Sequence, residues 1–122
     1  MATDFLYDDS GDIVIQGGQP VIISGVEELA QALRSLLSTP KGSFLDNEDM
    51  GLDMTFIVGG FDQELGIEAA TEAIMQDKRV TEIHDITCEP DYDTGVANFT
   101  ISLSSTVGDI NFGKEVPLNA AG

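Results

Sequence analysis

The sequence predicts an α+β fold, a small mixed or antiparallel sheet packed on two helices, and three observations predict it. Apolar residues recur at helical spacing in two places, over residues 26–37 and 63–77. Strict alternation follows, with Ala97, Phe99, Ile101 and Leu103 interleaved by Asn98, Thr100, Ser102 and Ser104. Helices therefore precede a strand-rich C-terminal third, in the order β-β-α-loop-α-β-β-β, instead of alternating with strands. At 122 residues and 42% hydrophobic content, the chain is expected to form one domain over residues 1–122, with 1–9 and 119–122 as flexible ends.

At the N-terminus, Phe5-Leu6-Tyr7 and Asp12-Ile13-Val14-Ile15-Gln16 read as strands. Gly17-Gly18 is a hairpin turn signal because both positions of a tight two-residue turn need positive φ, and Pro20-Val21-Ile22-Ile23 is the returning strand. Ser24 followed by Glu27 predicts a capping box, in which the hydroxyl and the carboxylate each satisfy a free amide. Val26, Leu29, Ala30, Leu33, Leu36 and Leu37 then form one apolar stripe, and Pro40 and Gly42 end that helix.

Residues 42–60 lose periodicity but keep Phe44, Leu45, Met50, Leu52, Met54, Phe56 and Ile57 among acids. That content predicts an ordered loop with a short helical or strand element near residues 55–58. After Gly59-Gly60, Ile67, Ala70, Ala73, Ile74 and Val80 form the inward side of the second helix and its exit. Ile86 and Cys88 face the alternating strand across a turn at 90–95, and a last strand runs from Asp109 through Phe112 towards Leu118.

The charge balance, 22 acids against five basic residues for a net −17, is a surface property that repels phosphate backbones and anionic headgroups. No nucleic-acid or membrane partner is expected; a basic protein surface is the natural complement. Cys88 is the single cysteine and predicts a small buried thiol, and the acidic first residues do not read as a signal peptide, so folding in a cytosol is expected. No metal or other cofactor is expected. Asp91-Tyr92-Asp93-Thr94-Gly95 is too short for a calcium loop and reads as a hairpin turn. No catalytic residue is expected either: His84 has no nucleophile motif near it, and with no Trp and two Tyr there is little to build a sugar cleft. Two of the five basic residues fall together in Asp77-Lys78-Arg79, where a helix runs into a strand. Arg79 reads equally as an interface residue or as an internal strut, and Lys78 as solvated or interfacial.

Gly25-Val26-Glu27-Glu28-Leu29-Ala30-Gln31-Ala32-Leu33, Leu37-Ser38-Thr39-Pro40-Lys41-Gly42, Met50-Gly51-Leu52-Asp53 and Asp77-Lys78-Arg79-Val80 follow one another in the order and spacing of a known family. Over residues 10–105 the chain resembles the small baseplate wedge subunit of contractile phage tails, the sheath initiator, which also carries a lysozyme-like label. Relatives usually read Glu-Pro-Arg at the corner; here Asp77 and Arg79 keep the acid and the arginine, and Lys78 replaces the proline. Ser43 stands where relatives often have an acid. The resemblance implies a virion structural protein in the tail baseplate, assembled in the host cytoplasm. Its implied partners are baseplate wedge proteins, the tail sheath protein and the tail tube, and its role is to offer edge strands to the first sheath ring. It implies partner contacts at Asp77, Lys78 and Arg79 and along the last strand at Ile110 and Phe112, residues that also hold the sheet to its own helices. The alternatives are an acidic adaptor of another assembly and a small muralytic hydrolase.

Overall fold

A computed structural model describes residues 3–8, 10–42 and 50–119. Strand β1 (Thr3–Phe5) pairs antiparallel with β4 (Ile22–Ser24), so part of the segment expected to be flexible is hydrogen-bonded. Between them lies a miniature hairpin, β2 (Ile15–Gln16) and β3 (Gln19–Pro20), joined by Gly17 and Gly18 at φ 59° and 78°. Helix α1 (Val26–Ser38) follows, then a 3-10 turn (Met54–Ile57) and helix α2 (Gln63–Ile74). Strands β5 (Val80–Asp91), β6 (Val96–Ser105) and β7 (Gly108–Pro117) form an antiparallel meander in the order β5-β6-β7.

One face of the meander carries the core. Ala97, Phe99, Ile101 and Leu103 are at most 1% exposed, and Ile86, Cys88, Ile110, Phe112 and Val116 flank them. The helices lie side by side on that face, α2 over β5 and α1 over β7. Leu29, Leu33 and Leu37 of α1 and Ala70, Ala73 and Ile74 of α2 are fully buried there. Alanines on α2 bring its backbone close to the sheet, and at Gly66 the approach is tighter still: a Cβ would lie 2.8 Å from Cys88 Sγ and 3.2 Å from Phe56 Cδ2.

Three expectations are corrected. The capping box does not form, because Ser24 is the last residue of β4 and pairs with Thr3. Gly25, at φ 63°, turns the chain into α1 instead, and its carbonyl accepts from Leu29 N–H at 3.0 Å. Val26 is 38% exposed and lies at the edge of the stripe, its Cγ2 3.2 Å from where a Gly108 Cβ would be. Helix α2 stops at Ile74, and a turn closed by Asp77 N–H to the Ile74 carbonyl carries the chain to the corner. Asp62 caps α2 by accepting from Leu65 N–H at 3.1 Å.

Two of the sequence landmarks meet in space. Pro40 and Leu52 form a parallel bridge, with Lys41 N–H donating to the Leu52 carbonyl at 2.9 Å and Leu52 N–H to the Thr39 carbonyl at 2.8 Å. Gly51 is required there: its φ is 108°, and a Cβ would stand 2.6 Å from the Thr39 carbonyl oxygen. Lys41 pairs with Glu72 at 2.8 Å and Gly51 N–H donates to the Gln76 side chain at 3.1 Å, so this clasp ties the end of α1 to α2. Phe44, Leu45, the departure at Ser43 and the acids at 46–49 lie outside the described residues.

Candidate functional site

The corner after α2 is organised by Arg79. Its Nε and Nη2 donate to the two carboxylate oxygens of Asp77 at 3.0 and 2.8 Å, a planar fork on a planar acceptor. Its Nη1 pairs with Glu28 in the first turn of α1. Glu28 is the one buried charged residue among the described residues, at 8% exposure, and the Arg79 carbonyl accepts from Thr106 N–H at 2.9 Å. The guanidinium therefore fastens α1 to the α2–β5 turn, and the Arg79 backbone carbonyl ties the same corner to the β6–β7 turn. Its hydrogen bonds hold the Asp77 carboxyl below the usual range, and both carboxylates push the Arg79 value up. These bonds are internal, as a strut requires, while the arginine side chain keeps 27% of its surface exposed. Lys78, between the paired residues, is exposed, at the rim of a second hollow walled by Leu36 and Met50.

The second feature is an open sheet edge. Leu118 N–H donates to the Gly95 carbonyl at 2.8 Å, and the β6–β7 register is unbroken over ten pairs. Hydrogen-bonded and non-bonded pairs alternate in an antiparallel ladder, so even-numbered residues of β7 turn their amides and carbonyls to β6. Asp109, Asn111, Gly113 and Glu115 turn theirs outward, and among the described residues nothing bonds to them. Pro117, without an N–H, ends the row. The same phase puts the Cys88 carbonyl on the outer edge of β5, where Gln63 Nε2 donates to it at 3.0 Å. That edge is blunted: Pro90 lacks a donor, Gln63 occupies Cys88, and the register breaks at Thr81 and His84. The two free edges of one sheet are therefore unequal.

Ile110 and Phe112, expected among the partner contacts, are 3% and 5% exposed. Their side chains face the helices, and at that level it is the backbone of the neighbouring odd-numbered residues of β7 that lies on the open edge. Beside the edge runs an open groove of about 1130 Å³ between β7 and α1, with Tyr7 and Asp8 also in its lining. Arg34 and Lys114 face into it, and the Arg34 guanidinium lies 5.4 Å from the centre of the Phe112 ring.

A polar chain missed in the sequence crosses the outer face of the sheet. His84 Nε2 lies 2.6 Å from Ser104 Oγ, which donates to Asp109 Oδ1 at 2.8 Å. The signal was not in the spacing: His84 is the extra residue of a β-bulge, which turns it towards β6. The serine stands between histidine and acid, whereas a nucleophilic triad needs the histidine in the middle. At the β5–β6 turn, Asp91 Oδ1 accepts from Asp93 and Thr94 N–H at 3.0 and 3.2 Å, with Gly95 at φ 74°. Burial pushes the Cys88 thiol up to about 11. Among the described residues no cluster of three or more His, Cys, Asp or Glu has the arrangement of a metal site.

Two helices backing a three-stranded sheet with one blunted and one open edge define an α+β module suited to adding a strand from another chain. The chain matches the contractile injection system sheath initiator family over residues 3–108, and it belongs to that family. Membership gives it a structural role in the tail and baseplate of a contractile injection system. A crystal structure of a Geobacter sulfurreducens protein named for a tail lysozyme has the same fold, with a TM-score of 0.64 at 20% identity, covering 82% of this chain and 97% of that one. A comparison with curated proteins found no match.

Proposed function

We propose that this chain is a baseplate wedge component that nucleates the sheath by accepting an extended segment of the first sheath ring along β7. The observation that carries the reading is the inequality of the two edges: four consecutive outward positions unbonded on β7, against an obstructed β5. Main-chain bonds supply affinity, and the acidic surface keeps copies of this chain apart until a complementary partner arrives. The Asp77–Arg79 corner, with Lys78 exposed at its tip, is the contact to the neighbouring wedge proteins, close to the tail tube. The particle is built in the host cytoplasm, and no catalytic step belongs to the role.

Asn111→Pro tests the edge. Its ring removes an outward N–H and obstructs a neighbouring strand while leaving the β6–β7 ladder intact, since residue 111 does not donate to β6. Particles carrying this variant are expected to have baseplates and bare tubes when viewed by electron microscopy. Normally sheathed tails would refute the reading.

A further inference from the structure

The groove beside β7 is lined by two cations, Arg34 and Lys114, and the proposal drawn from them rests on the strand-accepting reading of β7. Val26 lies against Gly108, and Arg34 lies over Phe112. Eight helical residues advance about 12 Å and four strand residues about 13 Å, so α1 and β7 run side by side in one direction. Glu27 and Asp109 therefore stand towards the start of the groove, while Arg34 and Lys114, with Glu115 next to the lysine in sequence, stand along its later part. Lys114 shares the inward face of β7 with Phe112 and is half-buried. Among the described residues, neither cation has a carboxylate within ion-pair distance, although the chain holds 22 acids. Lys41 and Arg79, by contrast, are both paired.

We infer that Arg34 and Lys114 form a carboxylate clamp that reads an Asp or Glu on the incoming strand. A strand added to β7 alternates its side chains. Those turned inward enter the space between β7 and α1, which Arg34 and Lys114 both line. Those turned outward lie beside Asp109, Asn111 and Glu115 and favour hydroxyl or basic residues, because like charges across a strand pair are unfavourable. The occupant is thus an extended protein segment with an acidic residue facing in at the level of Phe112. Arginine suits this task because its stacking on the ring fixes the fork before the partner arrives.

The test uses the full chain and the purified sheath subunit of the same particle, with dissociation constants measured at about 50 and about 300 mM salt. Arg34→Gln with Lys114→Gln is expected to weaken binding about tenfold at the lower salt and to flatten the salt dependence. Lys114→Gln alone, which leaves the Phe112 contact intact, is expected to give part of both effects at an unchanged melting temperature. Asn111→Pro is the control for the edge itself. If it abolishes binding while the glutamine variants bind with the affinity and salt slope of the parent, the clamp is refuted and the strand-accepting edge survives. If Asn111→Pro binds like the parent, the edge reading falls and the clamp with it.

Discussion

Removing Arg79 is expected to weaken the fold as a whole. In Arg79→Ala, Asp77 loses two side-chain hydrogen bonds and Glu28 loses its cation while remaining 8% exposed against the core. Breaking a buried ion pair on one side costs about 3–5 kcal/mol, because a charge is left without a partner. Here the arginine side chain is 27% exposed and Asp77 18%, so water recovers part of the loss and about 2–3 kcal/mol is expected. Urea denaturation would show this as a lower midpoint at an unchanged slope. The acid limb supplies a second readout. Asp77 has a folded value below its ordinary 3.8, so its stabilisation is present above that value and lost as pH falls through the folded one. The parent should lose stability there, and Arg79→Ala should show a flatter acid limb. Replacing the buried pair together, Glu28→Leu with Arg79→Met, should recover the part of the loss that comes from Glu28, because only the more exposed Asp77 is then left without its cation. A single variant within about 0.5 kcal/mol of the parent would show that the guanidinium is effectively solvated and not a strut.

Three further outcomes follow from the geometry. Gly51→Ala should cost at least about 2 kcal/mol in denaturant unfolding, since positive φ and a backbone oxygen 2.6 Å from the new methyl act together; a neutral effect would mean that the Pro40–Leu52 clasp yields. Cys88, raised to about 11 and fully buried, should react with a soluble disulfide reagent at pH 8 at least about a hundredfold more slowly in the folded chain than in urea. Equal rates would show that α2 opens readily from β5. Lys78→Glu should leave the unfolding midpoint within about 0.5 kcal/mol of the parent, because the side chain is exposed, while reducing incorporation into purified baseplates as measured by quantitative mass spectrometry. Unchanged incorporation would remove Lys78 from the interface.

Periodicity alone made much of the fold legible. The stripe through Leu29, Leu33 and Leu37 and the alternation through Phe99, Ile101 and Leu103 are local consequences of residue order, because side-chain direction repeats every 3.6 residues in a helix and every two in a strand. The double-glycine turn at Gly17-Gly18 was readable for the same reason: positive φ is a property of the residue itself. The capping box failed because capping is also a tertiary matter. Once β1 captured Ser24 as a strand partner, the hydroxyl was no longer at the position from which it could cap.

The candidate site divides in the same way. Sequence by itself determined that Asp77, Lys78 and Arg79 stand at a corner, that the last strand alternates, and that the surface is acidic. It could not show the internal pairing of Arg79, because the partner, Glu28, lies 51 residues away and meets it only when α1 packs beside the corner. Nor could it rank the two sheet edges. Which amides face outward is set by the phase of the β6–β7 ladder, and which edge is obstructed is set by the bulges at Thr81 and His84 and by Gln63 reaching across from α2. Hydrogen-bond phase, register and long-range charge pairing are relations between segments, so only the packed chain fixes them, whereas each segment's own periodicity is fixed by its order of residues.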